Sequence, residues 1–140
     1  MNITQATDYA FRAVLYLASQ PAGEMVEAQF IARQQVVPMR FLLKIMPSLI
    51  KAGIVKSQRG VGGGYALARP AEEINLLDVL VAIEGPIFLN RCLIDESYCS
   101  RQAAPECLVH QALANIQKSL ESDLESYSLA DLLGSQDEES

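Results

Sequence analysis

All three cysteines of the chain and its single histidine lie close together, between Cys92 and His110. Thiolate sulfur and imidazole nitrogen are donors that bind zinc and iron–sulfur clusters in proteins. Cys107 and His110 are three residues apart at the start of a predicted helix, so they share one face and can bind one ion or cluster. Cys92 and Cys99 lie in a looser segment that can fold back over that face. The spacing therefore predicts a metal site made from a loop and a helix start.

The cysteine count favours metal binding over disulfides. The N-terminus has no basic stretch followed by an apolar one, and no apolar run is long enough to span a bilayer. These features predict a cytoplasmic protein with no membrane partner, in which thiols stay reduced and an odd set of three cysteines binds metal. Three cysteines and one histidine suit tetrahedral zinc as well as an iron–sulfur cluster, and the spacing alone leaves both open.

Charge is distributed very unevenly along the 140 residues, whose net formal charge is −6. Residues 1–69 hold eight basic and three acidic side chains, a charge of +5, whereas residues 70–140 hold three basic and fourteen acidic ones, a charge of −11. No acidic residue lies between Glu27 and Glu72, where seven basic residues occur: Arg33, Arg40, Lys44, Lys51, Lys56, Arg59 and Arg69. This pattern predicts a surface that binds a polyanion.

The N-terminal half predicts a winged helix-turn-helix over residues 1–85. Apolar residues at helical spacing predict helices over residues 4–19, 27–35 and 38–52, although Pro47 predicts a kink or an interruption in the third. Two short strands, 54–57 and 65–68, flank a glycine-rich hairpin tip that lacks the spacing of a nucleotide-binding loop. In such a fold the third helix enters the major groove of DNA, and the hairpin, or wing, reaches the backbone or the minor groove.

The C-terminal half predicts further helices, so the fold class is mainly α. A fourth helix fits residues 74–84, the cysteine segment covers residues 86–105, and one long helix fits residues 106–127. Its apolar stripe predicts a dimerisation surface and consists of Val109, Leu113, Ile116, Leu120 and Leu124. A short helix over residues 129–133 should complete the dimerisation region of residues 106–133, stop at Gly134 and leave a disordered tail over residues 134–140.

Double-stranded DNA is therefore the predicted partner. The residues expected to contact it are Arg33, Pro38, Arg40, Lys44, Lys56, Arg59, Gly62, Gly63 and Tyr65. No nucleophile–base pair or carboxylate pair suggests an enzyme. Two other functions are considered: a regulator controlled by a partner protein through the acidic half, and an electron-transfer or cluster-carrier protein. The acid-free window opposes the second of these.

Three segments resemble the Rrf-type bacterial winged-helix repressors, and the resemblance covers roughly residues 1–127. They are TDYAFRAVLYLA at residues 7–18, FLLKIM at 41–46 and KAGIVKSQRGVGGGYALAR at 51–69. The resemblance implies a homodimer that binds operator DNA through its winged head. It also implies an iron–sulfur cluster on Cys92, Cys99 and Cys107, and this favours iron–sulfur over zinc.

The resemblance offers two fourth ligands. The iron–sulfur cluster regulator of this family has a C-x-x-H arrangement and a [2Fe-2S] cluster, which Cys107 and His110 match. The nitric-oxide-sensing repressor uses an aspartate from the first helix of the partner subunit and a [4Fe-4S] cluster, which Asp8 matches. We expect His110 and [2Fe-2S], because His110 lies one helical turn from Cys107 and needs no second subunit to reach the cluster.

Overall fold

A computed structural model describes residues 3–95, 97 and 106–139, and the side chains of all these residues except 91, 92 and 135–139. The helices in these ranges are α1 (Gln5–Ala18), α2 (Ala28–Gln35), α3 (Met39–Lys51), α4 (Leu76–Glu84), α5 (Arg91–Ile94), α6 (Leu108–Glu125) and α7 (Leu129–Glu139). The strands are β1 (Val55–Gln58) and β2 (Gly64–Leu67), and a 3-10 helix covers Ala71–Glu73. The predicted mainly α class with a two-stranded wing is confirmed.

Helices α1, α2 and α3 pack around one hydrophobic core and form the helix-turn-helix. Thr4 caps α1, and its side chain accepts a hydrogen bond from the Thr7 amide at 3.3 Å. Val36 takes a left-handed conformation with φ 53° after α2, so the chain turns sharply and starts α3 after Pro38. The apolar residues that this turn brings into the core include Val14, Leu17, Ile31, Val37, Leu42, Ile45, Met46 and Leu49.

The wing is an antiparallel hairpin that is also attached to the chain before α2. Strands β1 and β2 pair Val55 with Leu67 and Gln58 with Gly64. Val26 and Tyr65 exchange two backbone hydrogen bonds of 2.8 Å, so β2 has a partner on each side. A side chain at Gly64 would collide with the carbonyl of Val26, which explains why this position is glycine. The wing therefore has a fixed position relative to the helix-turn-helix.

Helix α3 continues through Pro47, so one of the two predicted alternatives, an interruption, is wrong. The sequence predicts a kink or an interruption there, but α3 is one helix that includes this proline. Proline cannot donate the hydrogen bond to the carbonyl of Leu43 that a regular helix would have. Pro47 and Leu43 are both exposed, so water can hydrate that carbonyl. The lost hydrogen bond therefore lies on the exposed face of α3, and the helix can continue without interruption.

The end of the chain returns to the head. The amide of Leu76 donates to the Tyr127 carbonyl at 3.1 Å, and the amide of Leu129 donates to the Ile74 carbonyl at 2.9 Å. Leu129 is 1% exposed and belongs to the same core as α1, α2 and α3. Helix α7 then continues through Gly134, where the sequence predicts a stop. The head therefore includes α7 as well as residues before the predicted boundary at 85.

A hydrogen-bond network joins the start of α1 to the end of α4. Thr7 is buried, and its hydroxyl donates to Oε1 of Glu84 at 2.8 Å, while the Thr4 amide donates to the same oxygen at 3.0 Å. Hydrogen bonds from Thr4 and Thr7 lower the pKa of Glu84 from its usual value, although desolvation acts in the opposite direction. The carboxylate of Glu84 therefore stabilises the N-terminus of α1 in its charged form.

Helix α6 is packed much less tightly than the head. It contacts α4, and the amide of Leu89 donates to Oε1 of Gln117 at 3.0 Å, yet none of the residues of α6 is buried. In its apolar stripe Val109 and Ile116 are exposed, and Leu113, Leu120 and Leu124 are half-buried. Within the described part of the chain, no helix has the length and apolar character needed to cross a lipid bilayer.

Candidate nucleic-acid interface and metal centre

Helix α3 exposes one face, because its other face is fixed in the core by Leu42, Ile45, Met46 and Leu49. The exposed residues of α3 are Arg40, Leu43, Lys44, Pro47, Ile50 and Lys51. The guanidinium carbon of Arg40 lies 5.1 Å from the centre of the Phe41 ring, a cation–π distance that restrains the side chain near the start of the helix. This face combines cations with apolar groups and has the dimensions of a helix that fits the major groove.

The wing presents a second set of cations beside α3. Lys56 and Arg59 are exposed, as are Val61 and Gly62 at the tip. Of the other predicted contacts, Gly63 is buried and Tyr65 is half-buried. A Cβ at Gly63 would collide with the carbonyl of Gln58, so this glycine is needed to close the hairpin itself.

The remaining predicted contacts flank the turn between α2 and α3. Arg33 is exposed in the last turn of α2, and Pro38 is exposed at the start of α3. Arg69, in contrast, bonds within the head, since its Nε donates to the Gly53 carbonyl at 3.3 Å and its Nη2 lies 3.8 Å from Oδ2 of Asp78. The cations that remain exposed lie on α2, α3 and the wing, and no acidic residue occurs among these elements.

The two described members of the predicted metal site lie at the start of α6. Cys107 is the N-cap, with extended backbone angles, and the helix begins at Leu108 rather than at residue 106 as predicted. His110 is then the third helical residue. Side chains at the N-cap and at this third position reach toward each other in capping boxes, so the two donors lie on the same side of the helix start. Both residues are half-buried, and the Cys107 thiol makes no capping hydrogen bond.

The other two cysteines come from the segment before α6. The backbone of Cys92 lies in α5, a short helix that contacts α6, while Cys99 lies outside the described residues. The described side chains include no group of three or more histidine, cysteine or acidic residues close enough to bind one metal ion. The donor chemistry of Cys107 and His110, sulfur and imidazole nitrogen, fits an iron–sulfur cluster or zinc.

Asp8, the alternative fourth ligand, has a partner of its own on α1. Its Oδ2 lies 2.7 Å from Nη2 of Arg12, and both side chains are partly exposed. Arg12 also stacks over Tyr9, 5.5 Å from the ring centre, and its Nη1 donates to the carbonyl of Gln35 at 3.4 Å. Within this chain Asp8 is therefore linked to the end of α2 only through Arg12.

Sequence reasoning missed two features that position these sites. Helix α5 was expected to be loop, and its four residues are too few to show a periodicity. The Tyr9 ring packs 5.7 Å from the Phe41 ring, which joins α1 to the start of α3. Both aromatic residues were visible in the sequence, but a contact between residues so far apart leaves no local signal.

Comparisons with known proteins agree with this architecture. The Rrf2 family model, described as "Iron-dependent Transcriptional regulator", matches residues 3–135. IscR of T. potens is 27% identical with a TM-score of 0.76, covering 97% of this chain and 88% of that one. CymR, the global cysteine regulator of B. subtilis, is 26% identical with a TM-score of 0.75, covering 94% and 95%. The oxidized form of Staphylococcus aureus CymR is 25% identical with a TM-score of 0.70, covering 94% and 95%.

Proposed function

The chain belongs to the Rrf2 family of transcription regulators, and we propose that it is a homodimeric cytoplasmic repressor whose affinity for operator DNA is set by an iron–sulfur cluster. The proposed ligands are Cys92, Cys99, Cys107 and His110. Members of this family are DNA-binding transcription regulators and not enzymes, and they include iron–sulfur cluster sensors. The observation that carries the proposal is the pair of sulfur and imidazole donors, Cys107 and His110, on one side of the start of α6, the helix whose apolar stripe includes the exposed Val109 and Ile116.

The DNA-binding part of the proposal rests on charge and shape together. Arg33, Arg40, Lys44, Lys56 and Arg59 are exposed on α2, α3 and the wing, and no acidic side chain lies in that part of the sequence. Lysine and arginine that neutralise phosphates release bound counterions, which drives association with duplex DNA. Helix α3 would read the major groove, while the attachment of β2 to Val26 holds the wing at a constant distance from it.

The dimer part of the proposal rests on α6. Its 18 residues include no buried side chain, yet Val109 and Ile116 are exposed on an apolar stripe. A second copy of the chain would cover this stripe and remove its apolar side chains from water. The resulting dimer would present two α3 helices to one DNA duplex.

The regulatory part of the proposal rests on where Cys107 lies. A bound cluster supplies a group that changes its oxidation state and joins separate points of the chain. Cys107 and His110 would hold the start of α6, while Cys92 would hold α5, so release of either ligand frees the beginning of the dimerisation helix. A change in α6 then shifts the spacing of the two heads.

His110 and [2Fe-2S] are favoured over Asp8 and [4Fe-4S]. His110 follows Cys107 at the N-cap spacing, whereas Asp8 is already paired with Arg12 at 2.7 Å. The test is a pair of variants, His110→Ala and Asp8→Ala, purified without oxygen and compared by absorption spectrum and by iron and sulfide analysis. The proposal expects the spectrum to change or vanish in the first variant and to persist in the second. The opposite pattern would show that Asp8 is the fourth ligand. Zinc without sulfide in the purified chain would show that the site binds zinc and not an iron–sulfur cluster.

Binding to DNA is tested separately at the wing. Arg59→Ala should weaken specific duplex binding and lower the slope of log affinity against log salt by about one unit if Arg59 contacts one phosphate. Arg69→Ala is the matched control, since Arg69 bonds within the head and its loss should leave the salt slope unchanged. If the wild-type chain prefers no duplex over random sequence, the proposed function is wrong.

The runner-up function is a regulator of the same fold that has zinc, or no metal, and is controlled by a partner protein. It is kept because sulfur and imidazole donors also suit tetrahedral zinc. Metal analysis of the same purified chain separates the two functions.

A further inference from the structure

Helix α3 has an unusual combination of side chains for a DNA-reading helix. Three of its exposed residues are cations and three are apolar: Arg40, Lys44, Lys51, Leu43, Pro47 and Ile50. Leu43 is 49% exposed in the middle of the helix, where a solvent-facing leucine has no partner in the core. Ile50 lies at the far end of α3 and is less exposed.

The major groove offers few groups that this face can recognise. Adenine is read by asparagine or glutamine, and cytosine by aspartate or glutamate, but α3 contains none of these four residue types. Guanine is read by arginine or lysine, which α3 has. The apolar group that a base pair presents in the major groove is the C5-methyl of thymine. Leu43 is the central side chain of α3 with the chemistry to contact it.

We propose that Leu43 reads the C5-methyl group of a thymine in each half of the DNA site, and this inference rests on the proposed DNA-binding function. The adjacent residues on α3 support the geometry. Arg40 is one turn before Leu43 and Lys44 follows it, so phosphate or guanine contacts by these cations would bring the leucine against the base edges. Pro47, one turn later, adds apolar surface on the same side.

The orientation of Leu43 is fixed by the core. Its neighbours Leu42 and Met46 are 0% exposed and are held in the core, so α3 cannot rotate to hide the leucine without exposing core residues. Burying one methyl group against an apolar side chain is worth about 0.8 kcal/mol, which corresponds to about a fourfold change in affinity for each methyl.

The experiment uses the full chain, purified without oxygen with the cofactor it retains, and a duplex that this chain selects from a random-sequence library. Each thymine of the duplex is replaced in turn by uracil, which removes only the C5-methyl group. We expect one symmetric pair of positions where the wild-type affinity falls about fourfold for each methyl. In Leu43→Ala the affinity for the thymine duplex should fall, and uracil at those positions should cause no further loss.

Cytosine and 5-methylcytosine at the same positions separate the methyl group from the rest of the base. The wild-type chain should bind the methylated form about fourfold more tightly for each methyl, and Leu43→Ala should not distinguish the two. Val81→Ala is the matched control, because it shortens an exposed apolar residue on α4. This control should retain the wild-type dependence on the methyl group.

Three results would overturn the inference while leaving the proposed function intact. One is specific binding with no position sensitive to uracil, and another is equal sensitivity to uracil in wild type and Leu43→Ala. The third is an altered sedimentation of Leu43→Ala with unchanged methyl dependence, which assigns Leu43 to a contact between protein surfaces. A chain that selects no duplex at all contradicts the proposed function first.

Discussion

The winged head and helix α6 differ in how much of their apolar surface and how many of their hydrogen-bonding groups are covered within one chain. In the head, Leu42, Met46, Leu49 and Leu129 are almost completely buried, and the side chains of Thr4 and Asn75 cap α1 and α4. In α6 no residue is buried, and the N-cap thiol makes no capping hydrogen bond. The head can therefore reach its structure with the atoms of one chain. Helix α6 has an apolar stripe and proposed cluster ligands, both suited to partners from outside the helix.

This difference suggests that the head determines the stability of the fold, whereas α6 is the part that responds to bound groups. Most of the apolar burial that stabilises the fold lies in the head, because that is where the buried cluster is. A segment with few buried contacts has a lower free energy of local unfolding, so it responds more readily to a bound group or a second subunit. Changes in α6 should therefore affect assembly and DNA binding, while changes in the head should affect the free energy of unfolding.

Ile116→Asp should produce the largest effect and tests the α6 side of this contrast. Ile116 is 55% exposed on the apolar stripe, so a carboxylate there would be buried between two copies without a partner. We expect monomers by sedimentation and a loss of specific affinity of about 10³-fold or more. The melting temperature of the head should change little, since Ile116 is outside the core.

Ser119→Asp is the control for this variant, because it adds the same charge to an exposed polar position of α6 and should leave the dimer intact. A dimeric Ile116→Asp would contradict the assignment of the stripe to the dimer interface.

Leu129→Ala should give the next largest effect, and it tests whether the head includes the end of the chain. The side chain is 1% exposed in the core, and truncation of a buried leucine costs about 2–5 kcal/mol of unfolding free energy. The measurement is denaturant unfolding followed by circular dichroism. Leu108→Ala, at an exposed position of α6, should cost much less. Equal losses in the two variants would remove the contrast between the regions.

Glu84→Gln should give a smaller effect that depends on pH. Because hydrogen bonds lower the pKa of Glu84 in the folded chain, its charge stabilises the fold above the usual value of about 4.5, and this contribution disappears as pH falls through the lowered pKa. We expect the variant to melt slightly below wild type at neutral pH and to converge with it in acid. A difference between the two melting temperatures that stays constant with pH would contradict this explanation.

Val36→Asn should give the smallest effect, a gain in stability. Val36 has φ 53° and is 80% exposed, and a β-branched residue is strained in this left-handed conformation, which asparagine tolerates better. We expect a gain of about 1 kcal/mol in the free energy of unfolding, measured with denaturant, because the left-handed conformation costs most residues roughly 1–2 kcal/mol. Val61→Asn, at an exposed position of the wing tip, is the control and should give no comparable gain.

The sequence predicted the head well because its signals are local. Thr4 as a helix cap, Pro38 before α3 and the glycines of the hairpin each act on their nearest neighbours. Ser128 and Asp131 also marked the start of α7, where each side chain accepts a hydrogen bond from the amide of the other residue. Acid-free sequence around α3 likewise indicated the charged surface without knowledge of the fold.

The features that sequence reasoning missed depend on contacts between distant residues. The Thr7–Glu84 hydrogen bond joins residues 77 positions apart, and Leu129 packs in a core formed mainly before residue 80. Of the two alternatives expected at Pro47, the interruption was wrong, because a proline on the exposed face loses a hydrogen bond that water can replace. Of the proposed cluster ligands, Cys107 and His110 have described side chains, whereas Cys99 lies outside the described residues.

The burial of Leu129 also has a consequence for synthesis on the ribosome. Chains emerge from their N-terminus, and a domain usually begins to fold when its contiguous segment has left the exit tunnel. Here the core lacks one of its large side chains until residue 129 has emerged, after the whole of α6. Both the cysteine segment and the apolar stripe of α6 are therefore translated before the head can close around Leu129. The proposed cluster binding and subunit pairing could thus begin on a nascent chain whose DNA-binding unit is still incomplete.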